Sequence, residues 1–241
     1  MKRIGLIGGV SPESTVVYYR RLNAAAREKL GGEHSQDLVV HSLDYGQMLG
    51  FYNAQNWVSF KANVVSSGKA LAAIGCDALA ICSNTVQLAA DDLAAAVDIP
   101  VLNLLDALSA ALKAADVKRP LLLGTPLTME GDFYRPTLKA KSGLDTIVPG
   151  TDDRAIVDRV IFDELCHGIV RDNSRHDWLE IIERGVSQGA DCVILGCTEI
   201  GLLIEQSHLK LPVFDTTLIH TKAITDFAIS DCAVHDSSEV A

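Results

Sequence analysis

Short apolar runs alternate along this chain with longer stretches of helical period. Residues 2–7 read as a buried strand, and 11–30 as a helix with Pro12 in its first turn and Gly31 and Gly32 at its end. The spacing then predicts a strand over 38–43, a helix over 57–74 closed by Gly75, a strand over 78–81 and a helix over 87–97. A strand over 100–104 and a helix over 107–115 follow. The pattern begins again with strands at 121–123 and 146–148, a helix opening near Thr128, and helices over 152–168 and 177–188. Strands at 192–195 and 212–214 and a closing helix over 217–229 complete it, and 231–241 reads as a polar tail. Strands that alternate with helices imply an α/β fold of parallel sheets flanked by helices.

The second half repeats the first. Gly75-Cys76-Asp77-Ala78-Leu79-Ala80-Ile81-Cys82-Ser83-Asn84-Thr85 aligns without a gap on Gly189-Ala190-Asp191-Cys192-Val193-Ile194-Leu195-Gly196-Cys197-Thr198-Glu199, 114 positions on (197 − 83). Leu6-Ile7-Gly8-Gly9 lies over Leu122-Leu123-Gly124-Thr125 at 116 (124 − 8), and Pro100-Val101 over Pro212-Val213 at 112 (212 − 100). Three matches in one order give two pseudo-symmetric α/β halves, 1–115 carrying Ser83 and 116–230 carrying Cys197.

Ligands of parallel α/β sheets bind outside the carboxyl ends of the strands. The repeat therefore places Ser83 and Cys197 on opposite walls of one cleft between the halves, with Gly8-Gly9 and Gly124-Thr125 beside them. Two groups that face each other across a small substrate are what inversion at carbon needs, one removing a proton and the other returning one to the opposite face.

Composition narrows the partners. With 48% hydrophobic and 22% charged residues the chain reads as an ordinary globular protein. A net charge of -10 argues against nucleic acid or an anionic membrane. No stretch approaches the roughly 20 apolar residues of a membrane span, and 1–9 is too short for a signal-peptide core. The six cysteines form no CxxC pair and no Cys/His cluster with zinc spacing, so cytosolic thiols are expected in place of disulfides or a metal site. No GxGxxG fingerprint, GxSxG or Walker motif appears, and no acidic residue ends the second strand, so NAD is not expected.

The site chemistry rests on residue types. Cys197 comes directly after Gly196, and a helix start there is expected to lower its thiol pKa so that the thiolate acts as base toward an α-proton. A serine is a far weaker acid, so Ser83 needs an activating neighbour. Cys82 is an alternative only if a bulge turns it to the site face. Asn84 and Thr85 open the next helix and are placed to cradle a carboxylate with backbone N–H groups. Gly9, Ser11, Thr125, Thr128, Thr198 and Glu199 complete the candidate substrate-binding set, with helix capping the competing role for Thr128, Ser11 and Ser14. His41 lies in the second strand, where a core and a ligand role are both open.

Ile4-Gly5-Leu6-Ile7-Gly8-Gly9-Val10-Ser11, Ser83-Asn84-Thr85 and Gly196-Cys197-Thr198-Glu199-Ile200 resemble the aspartate/glutamate racemase superfamily over nearly the whole length. The resemblance implies a cofactor-independent, cytoplasmic, usually homodimeric enzyme that works on a small amino acid with two cysteines across an interdomain cleft. Here the first cysteine is replaced, because Ser83 stands in the Cys-Asn-Thr motif. A bacterial branch of broad-specificity and L-aspartate/glutamate racemases is similar in 162–166 and in Pro212-Val213-Phe214-Asp215-Thr216. The resemblance implies that Cys197 deprotonates an L-amino acid and that Ser83, or a water it holds, serves the other face. The cations by which strict aspartate racemases grip a side-chain carboxylate fall nearest Gln47 or Met48 and Cys166, none of which is cationic. Two alternatives stay open: a one-cysteine decarboxylase of malonate-type acids, and a non-catalytic amino-acid binding protein.

Overall fold

The structure is a computed structural model, and it describes residues 1–232. The first part of the chain forms β1 (Ile4–Gly8), α1 (Pro12–Leu30), β2 (Leu38–Ser42), α2 (Tyr45–Asn53), α3 (Trp57–Ala73), β3 (Ala78–Ile81), α4 (Ala90–Ala94) and β4 (Val101–Leu102). The rest forms α5 (Leu104–Ala114), β5 (Pro120–Gly124), α6 (Pro126–Glu130), α7 (Tyr134–Ser142), α8 (Thr151–Asp163), α9 (Asp172–Ser187), β6 (Cys192–Gly196), β7 (Val213–Asp215) and α10 (Thr216–Ile229). The strands make two parallel sheets, ordered β2-β1-β3-β4 and β5-β6-β7. The α/β class expected from the alternation is therefore what the chain adopts.

The repeat holds down to sheet register. Ile7 pairs with Ile81 in the first sheet, and Leu123 pairs with Leu195 in the second. Ala80 pairs with Leu102, and Ile194 with Phe214. Each pair maps onto its counterpart by the sequence alignment. The matched glycines Gly75 and Gly189 both take left-handed φ, 85° and 95°, where a helix must turn back toward a strand. The matched aspartates also share a role. Asp77 accepts from the Arg3 N–H at 2.6 Å, and Asp191 from the N–H groups of Lys118 and Arg119 at 2.6 and 3.0 Å. Each ties down the start of a strand.

Both sheets are covered on two faces, because alternate strand residues point to opposite sides. In the first sheet Ile4, Leu6, Ala78, Ala80 and Cys82 pack with Tyr18 and Leu22 of α1 and Ile224 and Ala228 of α10. Gly5 faces Leu71 of α3 on the other side. In the second, Leu121, Leu123, Val193 and Leu195 meet α8 and α9, while Leu122, Cys192 and Ile194 meet α5 and α7.

The chain gathers into two compact units. Met1–Cys82 and Ala89–Asn103 form one with the chain from His220, and Ser83–Leu88 and Leu104–Ile219 form the other. The repeat halves 1–115 and 116–230 are a different division: Ser83–Leu88 and α5 join the second unit, and α10 from His220 onward joins the first.

Several elements differ from the periodicity. The helix expected over 152–168 ends at Asp163, because Glu164 turns inward and a short 3-10 turn, Leu165–His167, succeeds it before Gly168 reverses the chain. The strand at 146–148 is a single bridge, Leu121 to Ile147. The helix over 87–97 is a 3-10 turn, Thr85–Ala89, running into α4. The helix opening near Thr128 is two helices parted at Gly131, where an added Cβ would lie 2.4 Å from the Leu127 carbonyl oxygen. The helix over 177–188 starts earlier, at Asp172. Helix α2 was not legible, since Gly46 and Gly50 dilute its pattern. Of the tail, 233–241 lie outside the described residues.

Candidate active site

The candidate groups of the second unit gather at the carboxyl ends of β5 and β6. Gly124 and Gly196 close these strands, and an added Cβ at Gly124 would lie 2.9 Å from the Gly196 carbonyl oxygen and from the Thr128 side chain. Cys197 comes next in the chain and is half-buried. Its Sγ donates to Glu199 Oε2 at 3.0 Å. Cys166, on the 3-10 turn after α8, donates a long thiol hydrogen bond of 3.9 Å to Glu199 Oε1. Glu199 is only 4% exposed, so one buried carboxylate faces two thiols.

This geometry reverses one expectation. The Cys197 thiol is not made more acidic: burial, and then the Glu199 charge, push its pKa well above the ordinary thiol value. The segment after Cys197 is a five-residue 3-10 helix, Thr198–Leu202, and not an α-helix whose dipole would favour a thiolate. The thiol therefore keeps its proton, and its hydrogen-bond partner is the Glu199 carboxylate.

Ser83, Asn84 and Thr85 join the second unit through a buried hydrogen-bond chain. Tyr134 Oη donates to Asn84 Oδ1 at 2.8 Å, and Asn84 Nδ2 donates to Thr216 Oγ1 at 2.9 Å. Thr216 Oγ1 in turn donates to the Leu195 carbonyl on β6 at 2.7 Å. Burial raises the Tyr134 pKa, and the charge of Cys197 raises it further, so this phenol stays a donor beside the thiol. Gln87 Nε2 donates to the Ser83 carbonyl at 3.1 Å, and Ser83 itself is 8% exposed.

A second chain joins three threonines. The hydroxyls of Thr85 and Thr125 lie 3.0 Å apart, and those of Thr125 and Thr128 3.1 Å apart. Thr125 caps α6 by accepting from the Thr128 N–H, and Thr128 is fully buried. Thr198 is buried as well. Gly9 and Ser11 belong to the first unit. There Gly9 has a φ of 86° and faces the Leu43 backbone, its N–H donates to Thr15 Oγ1, and Ser11 caps α1 by accepting from Ser14 N. Cys82 sits in the first unit's core, where burial pushes its thiol up, so it is a packing residue. His41 is exposed, and Met48 is buried. No group of three His, Cys, Asp or Glu among the described residues is arranged to hold a metal ion.

Residues 7–224 match the Asp/Glu/hydantoin racemase family. The chain belongs to that family. A candidate Asp/Glu racemase from Yersinia pestis is 38% identical, its crystal structure superposes with a TM-score of 0.88, and the match covers 95% of this racemase and 100% of that chain. An aspartate racemase homologue from Pyrococcus horikoshii is 35% identical at a TM-score of 0.83, over 95% and 99%. A broad-specificity amino-acid racemase from Bacillus subtilis, RacX, is 21% identical over 226 residues, 91% of this chain and 95% of that protein. Family and relatives make the enzyme an isomerase of the racemase type.

Sequence reasoning gives no role to three residues that hydrogen-bond to the candidate groups. Thr216 ends the family-like segment 212–216 but carries no role that its spacing reveals. Tyr134 gives no signal. Cys166 stands out only where a cation is missing, and its bond to Glu199 is not legible.

Proposed function

We propose that this racemase inverts α-amino acids without a cofactor, with Cys197 as the base for the L-substrate. The observation that carries the reading is the Cys197 Sγ–Glu199 Oε2 hydrogen bond of 3.0 Å. Glu199 accepts the thiol proton, and the thiolate takes the α-proton. The electron pair left on Cα delocalises into the substrate carboxylate, which the N–H and hydroxyl groups of Asn84, Thr85 and Thr125 hold. Ser83, or a water it holds, returns a proton to the opposite face. Solvent then returns a proton to Ser83, or to its water, and takes the proton held by Glu199, which restores the starting state. Thr128 and Thr198 shape this pocket, and Gly9 and Ser11 are assigned to substrate binding.

Glu199 serves the thiol in this reading and does not grip the substrate carboxylate, which its own charge repels. The small amino-acid substrate is implied by the family. A cytoplasmic homodimer is part of the proposal, and so is the lack of nucleic-acid or anionic-membrane partners, which the net charge of -10 supports. No helix of the described residues is long and apolar enough to cross a membrane.

Proton NMR in D₂O with panels of L- and D-amino acids tests the reading. Loss of the α-proton signal from L-substrates, with slower loss from D-substrates, is the expected result. No exchange with any amino acid, together with carbon dioxide release from malonate-type acids, overturns it in favour of a decarboxylase.

A further inference from the structure

Cys166 takes no part in the proton transfers assigned to Cys197 and Ser83, yet its thiol shares a carboxylate with the base. Its position is built and not incidental. Glu164, 2% exposed, ends α8 and accepts from Ser174 Oγ at 2.7 Å. Arg159 and Arg171 pair with its other oxygen at 3.3 and 3.6 Å. The His167 and Ile169 N–H groups donate to the Glu164 carbonyl at 2.9 and 3.0 Å, and Gly168 closes the turn in the left-handed region. This turn holds the half-buried Cys166 against the core cluster that also takes Cys197.

We propose that Cys166 is a positioning residue that sets the proton affinity of the Cys197–Glu199 pair by donating its own thiol hydrogen to Glu199. The proposal rests on the reading of Cys197 as the base. A carboxylate that accepts a second hydrogen bond has its charge spread and repels a neighbouring thiolate less. The titratable groups that face Cys197 are Glu199 on its own turn, Cys166 on the turn after α8, and Tyr134 at the start of α7. Glu164 with its arginines stands behind Cys166. Of the three that face Cys197, Cys166 donates to the oxygen of Glu199 that the Cys197 thiol does not use.

The test is the pH dependence of Cys197 alkylation by iodoacetamide in the full-length protein, read by peptide mass so that Cys166 is counted separately. It needs no turnover, so it fails or succeeds independently of the racemase assignment, which α-proton exchange decides. Cys166→Ala removes the donor, and the alkylation midpoint is expected to rise by about half a pH unit, which at fixed pH is about a threefold slower reaction. Cys166→Ser keeps a donor of similar size and is expected to stay near the wild-type midpoint. Equal midpoints in all three proteins overturn the proposal. So does a Ser variant that shifts as far as Ala, since packing and not the shared proton would then be at work.

Discussion

Glu199 Oε2 accepts the Cys197 thiol hydrogen at 3.0 Å, from a carboxylate that is itself buried. A thiolate beside the Glu199 carboxylate is disfavoured, so the thiol holds its proton.

Glu199→Gln separates the two effects of the carboxylate. Without its charge the thiolate is easier to form, so the pH midpoint of Cys197 alkylation falls. Without its proton affinity, α-proton exchange slows by roughly 10²-fold or more. Opposite movement of the two readings is the expected signature. A parallel fall in both rates would show that Glu199 only supports the local fold.

Ser83→Cys restores a thiol at the matched position of the repeat. Exchange from D-substrates is expected to rise by about tenfold or more, since a thiol is a far better acid and base than a hydroxyl. Unchanged D-substrate kinetics would place Ser83 away from the substrate.

Tyr134→Phe leaves the ring and removes the hydrogen bond to Asn84. An unsatisfied buried acceptor costs about 1–3 kcal/mol, so denaturant midpoints should fall. Because Asn84 then loosens, KM is expected to rise more than kcat falls. A drop in kcat with KM unchanged would instead give the phenol a direct part in proton transfer.

His220 makes stability depend on pH. It is fully buried, accepts from Tyr18 Oη at Nδ1, and donates from Nε2 to the Leu102 carbonyl. Burial lowers its pKa to about 4. The unfolded chain takes up the proton near pH 6.5, so stability is intact above that value and falls as pH drops toward 4. The loss approaches about 3 kcal/mol. Urea melts at pH 7.5, 5.5 and 4.5 should show it, and His220→Gln should flatten the slope. An equal slope in the variant would assign the loss to other groups.

Much of the fold was legible because it rests on local patterns. Gly75 and Gly189 mark the same backbone reversal, Asp77 and Asp191 tie down matched strand starts, and the three aligned segments carried the sheet register with them. Helix α2 hid behind its glycines, and α8 broke at Glu164, whose inward turn depends on Arg159, Arg171 and Ser174. The candidate site was legible as a set of residue types, but the contacts among them were not. Glu199 stood among the substrate-binding candidates, and its bonds to the Cys197 and Cys166 thiols were not foreseen. Cys197 was expected to be acidic, which depended on an α-helix where a 3-10 turn forms. Tyr134 lies 50 positions from Asn84, and no local spacing could announce that contact.

The most direct test of the account compares wild-type enzyme with Cys197→Ala in D₂O, tracking the α-proton of an L-substrate that the wild type exchanges. The account predicts that exchange disappears while circular dichroism and the melting transition stay those of the folded protein. Exchange that persists at the wild-type rate in a folded Cys197→Ala protein would contradict it.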